Sequence, residues 1–556
     1  MRSTRRSSWP AGGGTPKPAP ERIALGDGDL WVTPERDDAG GPDEIVPGWG
    51  GTHRDGLGVR AERGGVDIAV VGGLLLDPAT GVRRTSIGIR GGRVCAIGRA
   101  GNPDTMAGID VVLDSQTALL DARGMVITPG AVDCHMHWLS PQLGEAALAG
   151  GITTIVAQDY GPIWNLGANP AAGLRMAWAA LEGTPLNVAF LVRASASRPE
   201  GVEESLAAGG AGLKIHEDVA AGPEQLRCAL DIADRHDVQL AIHTDGLNEV
   251  LRAADTARVL EGRTAHLYHI EGVGGGHAPD LLSLAGRERL ITSSTNPTVP
   301  YGVGAEAEHL AMVAAVHLLE PGSRTGDAAI LRARVRAWTM AAESALHDLG
   351  VIPILSSDSQ GMGRIAETVR RAFQCAAAMK AERGGAGADD NERVLRYLAK
   401  VTVNPAIAHG LAAHVGSLRE GRLADMVVWR PDLFPVRPEL VLKAGMPAWG
   451  ASGAGGATTM MTEPVRVGPQ IAATGAGPGQ VSLAFLAGSA MAADLPTTRE
   501  RAQVSDCRAL TAADMVRNSH TGSVVVDPRS ETVTLDGEPV ACEPVAEVAY
   551  SRRYLL

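Results

Sequence analysis

Two histidines at 135 and 137, Lys214 with His216, single histidines at 243 and 269, and Asp358 form a set of potential metal-binding and proton-transferring side chains. Imidazole and carboxylate offer lone pairs to a divalent metal, and side chains two apart on a strand share one face. These imidazoles and a carboxylate are more than one ion usually takes, so the set implies two ions, and two ions need a bridging anion. An ammonium has no lone pair, and burying it unpaired costs several kcal/mol. Lys214 ceases to be an anomaly if its amine reacts with CO2, because the carbamate is an anion with two oxygens. Two ions so bridged would lower the pKa of a bound water and polarise a carbonyl.

These residues need elements that bring them to one place. The stretches "MVITPGAVDCHMH", "ITTIVAQD", "LNVAFLVRAS", "AGLKIHE", "VQLAIHTD", "RTAHLYHIEG", "RLITSST" and "VIPILSSDS" read as strands. The first seven begin about 25 residues apart, the eighth follows a longer insertion, and helical stretches such as "PEQLRCALDIADRH" lie between them, the rhythm of an α/β chain forming a (β/α)8 TIM barrel. Barrel chemistry gathers at the C-terminal ends of the strands. His135 and His137 end the first strand, Lys214 and His216 the fourth, His243 the fifth, His269 the sixth and Asp358 the eighth. A lone histidine among the 15 present is more often structural than a ligand. Recurrence at successive strand ends is what carries the metal reading. His266, three residues before His269, is read as structural, as are His236, His409 and His414.

Around the barrel, residues 1–22 read as a disordered arm without an apolar export segment. Residues 23–125 read as a β domain, 126–425 as the barrel with a flap near 305–335, 426–480 as a return to β character with a Gly-rich loop, and 481–556 as a C-terminal α+β region without a chemical signal. The segments flanking the barrel could pair into one composite β-sandwich. The formal charge of -12 and the lack of a basic run argue against nucleic acid, and no apolar run of membrane-spanning length occurs. Six scattered cysteines without CxxC spacing suit reduced thiols in a cytoplasmic protein.

"DCHMHWLSPQ", "GLKIHED", "LAIHTDGLNE", "EGVGGGHAPD", "SSTNPTVPY" and "SSDSQGMGR" resemble the catalytic (alpha) subunit of urease, in the amidohydrolase superfamily, and the similarity spans nearly the whole chain. The resemblance implies hydrolysis of urea to ammonia and carbamate at two Ni2+ ions. One ion would be held by His135, His137, carbamylated Lys214 and Asp358, the other by Lys214, His243 and His269. It implies that His216 and Gly274 contact substrate, that His317 in "AAVHLLEP" is the proton donor of a mobile flap, that Arg334 steadies it and that Asp218 pairs with it. The nickel rests on the resemblance alone, since the ligands also suit zinc, iron or manganese. Separate beta and gamma subunits in a trimer of heterotrimers, and accessory proteins delivering nickel and CO2, are implied likewise. The chain departs from the family at Val316 and Leu318 around the flap histidine, at Val219, and at Tyr160, Ile163 and Trp164 in "AQDYGPIWNLG", where small residues are expected. These departures keep two alternatives open: a dinuclear amidohydrolase for another amide or ureido compound, and a catalytically silent paralogue.

Overall fold

The computed structural model describes residues 22–38, 56–140, 142–158, 168–217, 221–244, 252–271, 279–316, 335–385, 387–451 and 467–551, with 326, 327 and 329. Eight strands pair in parallel in chain order: β1 (Ala131–His137), β2 (Ile152–Gln158), β3 (Asn187–Arg193), β4 (Gly212–His216), β5 (Leu240–His243), β6 (Ala265–Leu267), β7 (Leu290–Thr295) and β8 (Ile354–Ser356). Nearly every residue in them is buried, as expected of parallel strands covered on both faces. The circle is drawn together where β8 meets β1. Asp358 N–H donates to His135 O at 2.7 Å, and His137 N–H donates to Ser359 O at 2.9 Å.

Helices α1 (Gln142–Ala149), α2 (Ala171–Ala180), α3 (Glu200–Ala207), α4 (Pro223–His236) and α5 (Ala253–Val259) follow the first five strands. In α4 Pro223 occupies the first turn, where its missing N–H costs nothing, and Asp237 closes the helix in the left-handed region. The long insertion before β8 carries α6 (Glu306–Val316) and α7 (Ala337–Asp348). No helix among the described residues is long and apolar enough to cross a membrane. All six cysteines are free.

The stretch read as one first strand divides at Gly130. Val126–Pro129 leaves the barrel and joins a ten-stranded sheet, lying parallel to Ile68–Asp77 and antiparallel to Met426–Trp429. That sheet draws strands from both sides of the barrel in the chain, so the two flanks do form one composite β domain. The C-terminal region also contributes to the barrel, which the sequence did not signal. Leu483–Leu486 pairs with the first half of β3 while β4 pairs with its second half.

A buried ion pair ties the two parts together. Lys443, fully buried in the composite sheet, reaches Asp425, and Asp425 also accepts from Asn187 Nδ2 at 2.7 Å and Ala444 N at 2.8 Å. Lys443 Nζ further donates to Thr153 O of β2 at 3.2 Å. Removing one partner of such a pair strands a charge in the interior. Asp425→Ala should therefore cost about 3–5 kcal/mol, read in guanidinium unfolding; a loss below about 1 kcal/mol would show the pair to be dispensable.

Candidate metal centre

His137 and His216 are the last residues of β1 and β4, and His243 is the last of β5. Pairing register sets His216 directly beside His243, with ring centroids 5.1 Å apart. His269 and Asp358 lie two residues beyond β6 and β8, where the backbone turns off the strand into positive φ, +36° and +54°. Such conformations cost L-residues of order 1–3 kcal/mol, and they persist only where the surroundings over-determine them.

These turns aim the side chains at one rim. His135 Nε2 and His137 Nε2 lie 3.3 and 3.4 Å from Asp358 Oδ1. All three offer ligand atoms within 4.8 Å of one another, a group that could hold a metal ion. His243 Nδ1 and His269 Nε2 are 2.8 Å apart, so a second pair of imidazole nitrogens points at one spot. Rings from the two groups approach within 5.4 Å, between His135 and His269. Lys214 is fully buried among them.

Burial, and then the charge of Lys214, hold His135 and His216 well below the usual histidine range. Both imidazoles are thus neutral at physiological pH. Each keeps the lone pair a metal or an incoming proton requires.

Residues 126–448 match the amidohydrolase family, and residues 14–120 match the N-terminal domain of the urease alpha-subunit. The chain is 50% identical over 544 residues to urease subunit alpha 1 of Streptomyces avermitilis, covering 97% of this chain and 98% of that one. It belongs to the urease alpha-subunit family. The same identity and length of match are found with urease subunit alpha 2 of Streptomyces coelicolor, covering 97% of each chain. A solved D-hydantoinase is similar with a TM-score of 0.49 at 15% identity, covering 72% of this chain and 96% of that one. As an amidohydrolase of the urease alpha-subunit family, the chain is a hydrolase acting on C–N bonds.

Of the residues singled out in the sequence, the structure brings His135, His137, Lys214, His216, His243, His269 and Asp358 to this rim. Asp218, Gly274, His317 and Arg334 lie outside the described residues, as do Tyr160, Ile163, Trp164, Val219 and Leu318. Val316 is the last residue of α6.

Other residues at the urease-family rim escaped the sequence reading. Asp133 Oδ1 accepts from the backbone N–H groups of His135 and Ser357 at 3.2 and 3.1 Å, linking β1 to the end of β8. Burial pushes its carboxyl up to about 6. Gln158 Nε2 stands 3.3 Å from His137 Nε2. A Cβ on Gly361 would run into Asp358 Oδ1, so that glycine leaves room for the carboxylate. Gly in "SQGMG" was the only visible trace of this constraint.

Beneath the rim, His266 Nδ1 meets His409 Nε2 at 3.0 Å and His266 Nε2 meets Ser293 Oγ at 2.9 Å. Cys134 completes this second cluster of possible ligand atoms. Direct hydrogen bonds fit the structural role expected of His266 and His409. Burial depresses His409 to about 3 and His266 well below its usual range.

The pH consequence has a definite sign. A histidine whose folded pKa is depressed binds its proton more readily in the unfolded chain, so its contribution is full above 6.5 and is lost as pH falls. The metal-free chain should lose stability between pH 6.5 and 3 through His409. His409→Gln should flatten the slope of unfolding free energy by up to about 1.4 kcal/mol per pH unit in that window. An unchanged slope would show that His409 does not stay neutral.

Proposed function

We propose that the chain hydrolyses urea to ammonia and carbamate at a dinuclear nickel centre bridged by carbamylated Lys214. The observation that carries the reading is the presence, on one rim, of a His135–His137–Asp358 group and a His243–His269 pair around a buried lysine. Neutral imidazoles and a carboxylate are the donor chemistry a divalent ion requires, so the residues fit the group. His135, His137, Lys214 and Asp358 would hold one ion, and Lys214, His243 and His269 the other. The bound ions would supply Lewis acidity toward a carbonyl and lower the pKa of a bound water.

The chain's own residues do the rest. His216, neutral because it is buried beside Lys214, can donate N–H to the urea oxygen. Gly274 offers a backbone contact to the substrate. His317 passes a proton to the departing ammonia, with Asp218 and Arg334 orienting it. By the same family relation we assign separate beta and gamma subunits, in a trimer of heterotrimers, and accessory proteins for nickel and CO2.

Ammonia release from urea by the nickel-loaded chain assembled with its beta and gamma subunits tests the reading, with small amides and cyclic ureides run in parallel. Urea should be the preferred substrate, and no ammonia from a complex carrying two nickel ions per chain would refute the assignment. Lys214→Ala should lose most of its bound metal while its thermal unfolding stays that of a folded barrel. Two metals per chain in that variant would eliminate the carbamate bridge.

A further inference from the structure

We propose that Tyr268 is the positioning residue that holds Lys214 and His135 in register for carbamate formation and metal uptake. The proposal rests on the metal-centre reading above and adds a residue to it. Tyr268 lies between the end of β6 and His269, at the point where the chain turns off the strand. It is fully buried. Its ring stacks on His135 with centroids 3.8 Å apart and planes inclined by 18°, and Lys214 Nζ lies 3.9 Å from the ring centroid. Its hydroxyl donates to the carbonyl of Cys134, the residue before His135, at 2.6 Å. His266 meets it edge-on at 4.7 Å and 87°.

Each contact removes one freedom of the ring. The hydroxyl pins its far end to the backbone of β1, His135 presses on its face and His266 stands against it. A ring so held is a fixed wall that limits the rotamers open to the lysine's four-carbon stem. The face also selects orientation. An aromatic face carries negative potential, so it favours an N–H directed at it and disfavours carboxylate oxygens there. In carbamylation the amine lone pair attacks the carbon of CO2 and a C–N bond forms. One C=O pair moves to oxygen, and the nitrogen gives one proton to solvent. The product keeps an N–H for the ring and has two oxygens that the ring turns away from itself. An aliphatic side chain of similar volume would fill the same space, but it would neither orient the nitrogen nor tie β6 to the backbone at His135.

The test compares the full chain with Tyr268→Leu and Tyr268→Phe. Each is loaded with zinc, which is diamagnetic, over a range of 13C-bicarbonate concentrations, with carbamate carbon resonance, metal content and thermal unfolding read on the same samples. Tyr268→Leu should need about 10–100-fold more bicarbonate for half-maximal carbamate signal and metal content, with full restoration at saturating bicarbonate. Recovery by mass action is what a merely packing role would not show. Tyr268→Phe, which keeps the face and loses the anchor, should fall between. A folded Leu variant with the bicarbonate midpoint of the parent chain overturns the proposal. Should that variant not fold, an unchanged midpoint in the Phe variant overturns it instead. If the parent chain itself takes up neither carbamate nor metal, the metal-centre reading fails and the role of Tyr268 falls with it; parent uptake with unaltered variants refutes the positioning role alone.

Discussion

The rim depends on the meeting of the first barrel strand with the last. The backbone bond from Asp358 N–H to His135 O, the bond from His137 N–H to Ser359 O, and the two bonds accepted by Asp133 fix the end of β8 against the end of β1. Only with that seam formed does a carboxylate from one end of a 556-residue chain's barrel stand within 3.4 Å of both histidines of the other. The seam also supports the backbone at Asp358, whose positive φ opposes closure locally. Local strain is thus held by a non-local contact, the usual arrangement where a side chain must be aimed rather than merely buried.

Once closed, the rim confronts an electrostatic problem. It buries a lysine, several imidazoles and two aspartates close together. Burial, and then the charge of Lys214, hold His135 and His216 well below the usual histidine range, and burial raises the Asp133 carboxyl to about 6. The proposed conversion of the lysine to a carbamate would reverse the sign of that charge. The pocket would then favour divalent cations. The aromatic ring of Tyr268 stands 3.9 Å from the Lys214 nitrogen and presents its face to it.

Stability is arranged elsewhere. Asp425 and Lys443 join the composite sheet to the first residues of β2 and β3, at the barrel end opposite the histidines. The composite sheet is itself built from both flanks of the barrel, so chain connectivity reinforces the barrel from the side that does no chemistry. Division of labour between the two ends is a general property of the barrel. Here it leaves the C-terminal rim free to carry strained backbone and buried polar groups.

The residues that meet at the rim were legible in the sequence because a strand has a period of two. HxH and KxH read directly as pairs on one face, and the regular spacing of strands placed all of them at one rim. The barrel and the joining of its flanks were legible for the same reason, through apolar runs bounded by turns. The division of the first strand at Gly130 was not, because a change of sheet leaves both halves equally apolar. Nor were the strand at Leu483–Leu486, Gly361 or Tyr268. A short apolar run, a glycine or an aromatic at a strand end has many meanings in one dimension. Tyr268 is distinguished only by what surrounds it, His135 and Cys134 from β1 and Lys214 from β4. Which atoms could bind follows from residue type alone, since donor chemistry belongs to the side chain. Tertiary structure alone decided which of them meet and what holds them apart, because those distances are set by contacts between residues far apart in the chain.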